Sequence, residues 1–353
     1  MGYALMTATW ERARSLVMMI WEWANLNENY IWLALIVGAY AFVLLGIIGH
    51  QLESRRFARE LRKSSDEDLG HKGGGLAHTA GEHEPTAGQD SRRSVSESKV
   101  GSGWRYVASR AIGAGHVKQD IACQDFYSCE INDSGWLIVA VADGAGSAAF
   151  SDIGARLAAE TAVSSLSESG AKVREDLAPA LREACQRSRD RVFREASSME
   201  VEPRQLACTL LLFFGGPGGS GVAHIGDGVL VSRHAGMDWD CRFWPDHGEY
   251  VNTTRFLTDD DALDVVRVSS SSETPFEVAV MTDGLEYLAL DFKSKSAFGP
   301  FFEGVMAPVK AAHTPEEQQQ VAAELGKWLG SKTLSDRSED DLTLVLAIAD
   351  GEA

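Results

Sequence analysis

At 353 residues the chain has room for more than one structural unit and for a large core, and its 44% apolar, 24% charged composition is that of a folded protein. A formal net charge of −18 excludes nucleic acid as the main partner, because the phosphate backbone repels such a surface. Five cysteines (Cys123, Cys129, Cys185, Cys208 and Cys241) without a CxxC pair argue against a disulfide framework or a cysteine zinc site, and fit thiols kept reduced in a cytosol.

Residues 1–30 carry Trp10, Trp21 and Trp23 among Arg12, Arg14 and Glu22. Charge at its centre predicts that this segment lies in a membrane interface; a second, imperfect span is the alternative. Ile31 to Gly49, IWLALIVGAYAFVLLGIIG, holds no charged residue. As a helix it would cover about 28 Å, close to the hydrocarbon thickness of a bilayer, so residues 31–49 are expected to form a transmembrane helix. A buried core helix is the competing reading, but such a helix rarely runs this long without a polar face. Arg55, Arg56, Arg59, Arg62 and Lys63 follow at once, against only Arg12 and Arg14 before the span. The positive-inside rule then predicts a single pass through the cytoplasmic membrane, with everything downstream in the cytoplasm. Residues 50–103 pass from this basic stretch into a Gly-, Ser-, His- and Glu-rich linker that cannot bury enough surface to fold. His71, His78 and His83 lie there at irregular spacing, which reads as solvated linker rather than metal site.

Periodic structure begins at Trp104, and a folded domain is expected over 104–350. Trp136 to Ala142 (WLIVAVA) reads as a buried strand ending at Asp143-Gly144. Ser151 to Ser165 and Asp176 to Ser197 show helical spacing, the second with Arg and Glu on its outer face. Strands are predicted at Cys208–Phe214, Gly221–Ile225 and Val229–Arg233. Gly226-Asp227-Gly228 between the last two reads as a tight hairpin, which makes Asp227 a turn aspartate rather than a functional one. Glu277 to Met281 predicts a strand, Thr314 to Leu329 a helix with Pro315 in its first turn, and Leu342 to Ile348 a closing strand. This order predicts an α+β fold, a four-layer α/β/β/α sandwich of two antiparallel sheets between helices.

Four acidic motifs adjoin apolar runs: Cys123-Gln124-Asp125, Val141-Ala142-Asp143-Gly144, Met281-Thr282-Asp283-Gly284 and Glu339-Asp340-Asp341-Leu342-Thr343. Carboxylates at strand ends can converge, and a converged cluster is costly unless a divalent cation sits among them. The motifs VADGAGSA, IGDG, MTDGLE and EDDLTLVLAI, in that order, resemble those of the PP2C metal-dependent protein phosphatases, especially the bacterial branch, over nearly all of 104–350.

The resemblance implies a phosphoserine/phosphothreonine phosphatase that activates water at a binuclear Mn²⁺ or Mg²⁺ centre. Carried over to this sequence, Asp143 would bridge both ions, with the Gly144 carbonyl as a further ligand. Asp283 and Asp340 would complete one ion's shell, and Asp125 would hold the waters of the second and orient the nucleophile. Asp340 is preferred to Asp341 because it stands three residues before Thr343. Gln124 stands where many members have Glu, and Ala145 where some have His. The position expected for a third-ion aspartate falls on Arg204. The phosphate-anchoring Arg of the family has no plain counterpart. Arg110, His116 and Lys118 are candidates, His116 the best placed, though a structural hydrogen bond fits it equally. Residues 249–254 correspond to the flap beside the site. The implied partners are phosphorylated Ser/Thr proteins and a cognate kinase at the membrane. The reading from another class is a catalytically silent phosphoprotein-binding module on the same fold, and hydrolysis of a small phosphorylated metabolite is a third.

Overall fold

The computed structural model describes residues 103–169, 176–245 and 254–349. The expected interfacial segment, transmembrane helix and most of the linker (1–102) lie outside the described residues, as do flap residues 249–253. Among the described residues no helix is long and apolar enough to cross a membrane.

The chain opens with β1 (Trp104–Ala111), a short helix α1 (Ala114–Gln119), β2 (Phe126–Ile131) and β3 (Leu137–Ala142), then two long helices, α2 (Ser151–Ser169) and α3 (Ala178–Ser198). A 3₁₀ turn at Pro203–Leu206 leads to β4 (Leu210–Gly216), β5 (Gly219–Ile225), β6 (Val229–Arg233) and β7 (Asp240–Cys241). After α4 (Ala262–Val265) come β8 (Arg267–Ser271) and β9 (Glu277–Met281), a 3₁₀ turn at Asp283–Leu285, and α5 (Glu286–Ala289). The chain closes with β10 (Leu290–Asp291), β11 (Ser296–Ala297), α6 (Gly299–Ala311), α7 (Pro315–Leu329), α8 (Lys332–Ser335) and β12 (Leu342–Ala349).

Two five-stranded antiparallel sheets result, ordered β1-β12-β9-β6-β7 and β2-β3-β4-β5-β8. The two-residue period of β3 decides how they pack. Leu137, Val139 and Val141 point into the gap between sheets, meeting Tyr106, Leu230, Val278, Val280 and Val345 of the other sheet. Ile138, Ala140 and Ala142 point the opposite way, into a core with Ala155, Ala158, Ala162, Leu181 and Val192 of α2 and α3. A strand covered on both faces has no polar side to show, which is why β3 and β4 read as unbroken apolar runs. Helices α6 and α7 cover the outer face of the first sheet against β12 and β1. Helix α7 starts with a capping box: Glu317 N–H donates to the Thr314 hydroxyl, and the Glu317 carboxylate accepts from Thr314 N–H.

One expectation is overturned. Gly226-Asp227-Gly228 is not a hairpin: β5 belongs to one sheet and β6 to the other, where β6 pairs with β9. The tripeptide carries the chain across the sandwich. Gly226 has φ +106°, and a Cβ there would meet Thr209 Cγ2 at 2.5 Å, so a side chain is excluded both by conformation and by space. Such a crossover looks like a turn locally, because glycine serves both.

Candidate metal centre

The sheets present their carboxylates at one end. Asp143 follows β3 and Asp125 precedes β2 in one sheet; Asp283 follows β9, and Asp340 and Asp341 precede β12 in the other. Asp227 stands on the crossover between them. One carboxylate oxygen each from Asp143, Asp227 and Asp283 lies within 4.8 Å of the others. The third carboxylate of this triad is the residue read from sequence as a turn aspartate, and that reading is corrected. Its sign was present: IGDG is one of the four ordered motifs, but the destination of β6 is not a local property. Arg204, where a third-ion aspartate was sought, is exposed on the 3₁₀ turn.

The backbone around Asp143 is held from three sides. Its N–H donates to the Thr209 hydroxyl at 2.9 Å, and its carbonyl accepts from Thr209 N–H at 2.8 Å. Gly144 N–H donates to the Gln124 carbonyl at 3.2 Å. A Cβ on Gly144 would lie 2.8 Å from that carbonyl oxygen and from Ser151 Cβ, so only glycine allows the Asp143 loop to close on the Gln124 loop.

Asp125 joins the two sheets. Its Oδ2 accepts from the hydroxyls of Thr282 and Thr343, both at 2.7 Å and both from the opposite sheet. Its Oδ1 is buried without a hydrogen-bond partner, as is Oδ1 of Asp283. Thr282 was not singled out by sequence, and Thr343 served only as a spacing mark.

The adjacent aspartates before β12 divide their work. Asp341 is buried, and its two oxygens accept from the Gly113 and Gln124 amides, each at 2.6 Å. His116 Nδ1 stands 3.0 Å from Asp341 Oδ2. Asp340 is exposed as a residue, yet its charge acts on Asp143, Asp283 and Asp125. It lies outside the 4.8 Å triad. The other phosphate-anchor candidates have partners too. Arg110 donates to the Asp125 carbonyl and stacks 5.0 Å over Phe126, and Lys118 pairs with Glu339 at 2.7 Å on the surface.

These placements make the cluster electrostatically unfavourable by itself. Burial, then the charges of Asp125, Asp283, Asp340 and Asp227, pushes the Asp143 carboxyl well above the usual range. Asp283 is raised in the same way, by burial and then by Asp227 and Asp340. Asp125 is pushed up to about 7 by burial and Asp341, against the lowering effect of its two threonine hydrogen bonds. Asp340 is raised mainly by burial of its carboxyl. Carboxyls this crowded do not all ionise at neutral pH without a counter-charge, and two buried oxygens want a partner. A hard divalent cation answers both demands, and an all-oxygen donor set favours Mg²⁺ or Mn²⁺ over zinc.

Comparison with known proteins identifies the family. A family model described as Protein phosphatase 2C matches residues 112–330. Serine/threonine-protein phosphatase 3 of Escherichia coli (strain K12) is 35% identical over 255 residues, covering 69% of this chain and 98% of the relative. The crystal structure of a bacterial serine phosphatase shares the fold at TM-score 0.50 and 12% identity, over 70% of this chain and 98% of that one. The catalytic domain of the serine threonine protein phosphatase PstP, solved with 2 manganese ions, aligns over 69% of this chain and 97% of its own at 15% identity and TM-score 0.44. With more than half its length matched by the family model and a relative at 35% identity, the chain belongs to the protein phosphatase 2C family.

Proposed function

We propose that this chain hydrolyses phosphoserine and phosphothreonine in proteins with two divalent cations, Mn²⁺ or Mg²⁺, held by Asp143, the Gly144 carbonyl, Asp283, Asp340, Asp125 and Asp227. One observation carries the reading: carboxylates from both sheets and from the crossover meet within 4.8 Å at the ends of buried strands. Bound there, such cations supply Lewis acidity to a water and to the phosphoryl oxygens. The chain does the rest. The Asp143 backbone is pinned by Thr209 on both its N–H and its carbonyl, which fixes where its carboxylate starts from. Thr282 and Thr343 hold Asp125 by one oxygen and leave the other to orient a water. No side chain here is suited to attack phosphorus itself. Cys123 is kept a protonated thiol by burial and by Asp125 and Asp341.

Phosphate release from a phosphothreonine peptide by the full chain in detergent tests this. We expect release with Mn²⁺, loss of it in EDTA, and a fall of at least about 100-fold in Asp143→Asn, the scale of removing one preorganised electrostatic group. Turnover that ignores EDTA and survives the substitution sinks the reading. Peptide binding without turnover would point to the silent module instead.

We further propose that residues 31–49 cross the cytoplasmic membrane once and hold the phosphatase domain on the cytoplasmic side, near a kinase whose products it reverses. The uncharged span and the five basic residues that follow it support this. Tethering raises the effective concentration of enzyme at membrane-bound substrates, which matters for a chain whose net charge of −18 repels phosphoproteins.

A further inference from the structure

Beside the carboxylate cluster the surface is aromatic. The 3₁₀ turn that begins at Asp283 runs directly into α5, which places Tyr287 four residues from Asp283, about 6 Å along a helical path. Tyr287 is 77% exposed, and its ring lies 5.4 Å from that of Phe292, itself 39% exposed. Phe292 and Trp244 meet edge to face, with ring centroids 5.6 Å apart at 84°. Three large rings in contact at the rim of a charged site form the kind of apolar patch that a folded surface usually reserves for a partner.

The patch is tied to the cluster from its other side as well. Arg267 donates to the Trp244 carbonyl at 2.8 Å and to the Gly226 carbonyl at 3.3 Å, and its guanidinium meets His224 Nδ1 at 2.9 Å. One guanidinium therefore links the residue before Asp227 to the backbone of Trp244. Thus Tyr287 continues from Asp283 while Trp244 is moored to the Asp227 crossover. The rings hold a defined position relative to both carboxylates. Next to Phe292, exposed Lys293 and Lys295 sit on the β10–β11 hairpin, whose tip is ordered by Asp291 accepting from Lys293 N–H at 2.9 Å. These cations stand out on a chain of charge −18.

We propose that Trp244, Phe292 and Tyr287, with Lys293 and Lys295, form the docking surface for the substrate segment flanking the phosphoresidue, and that they select segments carrying a large apolar side chain with an acidic neighbour. The proposal rests on the phosphatase reading above and names its specificity. Continuity with Asp283 and Asp227 puts the surface next to the cluster, within reach of residues flanking a phosphoresidue held there. The rings offer apolar contact that charge repulsion does not weaken, and the lysines offset that repulsion locally.

The test compares kcat/KM of the full chain with Mn²⁺ on a phosphothreonine peptide with flanking Leu and Asp and on 4-nitrophenyl phosphate, which has no flanking chain. Tyr287→Ala is expected to lower the peptide-to-aryl ratio about 5- to 10-fold, the usual effect of truncating an exposed aromatic anchor. The pair Lys293→Glu and Lys295→Glu should lower it too, more strongly at low salt. Replacing the peptide's Leu by Ser should cost the parent a similar factor and cost Tyr287→Ala little more. An unchanged ratio overturns the proposal. So does a change in sedimentation of Tyr287→Ala, which would make a second copy of the chain the occupant. Fluorescence anisotropy of the same peptide separates the two readings if the parent turns over neither substrate. Weaker binding by Tyr287→Ala then keeps the surface while the phosphatase reading fails, and equal binding overturns both.

Discussion

Asp227 and Asp341 are both buried aspartates at the mouth of the sandwich, and both repel neighbouring carboxyls, but they are held by different partners. Asp341 accepts from two main-chain amides, so its charge is solvated by protein. Asp227 accepts from the Thr254 hydroxyl rather than from main-chain amides, and it raises the pKa of Asp143 and Asp283 by repulsion, which a cation would relieve. Thermal denaturation with and without Mn²⁺ should separate them. Asp341→Asn leaves one amide facing an NH₂ group and should cost about 2 kcal/mol in either condition. Asp227→Asn should leave the cation-free protein as stable or more stable, and shrink the stabilisation by Mn²⁺, which reaches about 2.7 kcal/mol at a hundredfold excess over Kd. A parent-like Mn²⁺ response in Asp227→Asn would remove that residue from the site. Much of this scale is legible in sequence, since Asp125, Asp143, Asp283 and Asp340 adjoin apolar runs. The job of Asp341 is not, because its partners Gly113 and Gln124 are more than two hundred positions away.

At the scale of elements, legibility follows burial. Strands β3, β6, β9 and β12 and helices α2, α3 and α7 stand close to their predicted positions, because their periodicity reports their environment directly. Helix α6 is hard to read in the sequence: GPFFEGVMAPVKA has Gly and Pro at its start and Pro308 inside, residue types that ordinarily break helices, although five of its side chains reach the core. Strand β5 hides a different feature. His224 is 2% exposed, and burial together with Arg267 pushes its pKa down to about 3 from 6.5. The unfolded chain takes up a proton as pH drops through 6.5, and the folded one does not until about 3. Stability is therefore lost across that window as pH falls, by up to about 1.4 kcal/mol per pH unit. His224→Gln, which can still accept from Arg267, should lose less stability between pH 7 and pH 4.5 in urea titrations. Equal losses in parent and variant would mean that other groups govern acid sensitivity.

For the molecule as a whole, the membrane assignment stands on sequence, and fractionation tests it. The full chain should stay with membranes through an alkaline carbonate wash, whereas a chain lacking residues 1–63 should be released; release of the full chain by the wash would refute the span. The sandwich has a consequence of its own. Asp125 and Asp143 ride on one sheet, Asp283 and Asp340 on the other, so the width of the gap between the sheets works as a caliper on the carboxylates. What sets that width is hydrocarbon: Val139, Val141, Leu211 and Phe213 against Tyr106, Val278, Val280 and Val345. On the proposed ligand set, which ion fits best would be partly decided by methyl and phenyl groups that never touch it, and by how little a close-packed interior yields.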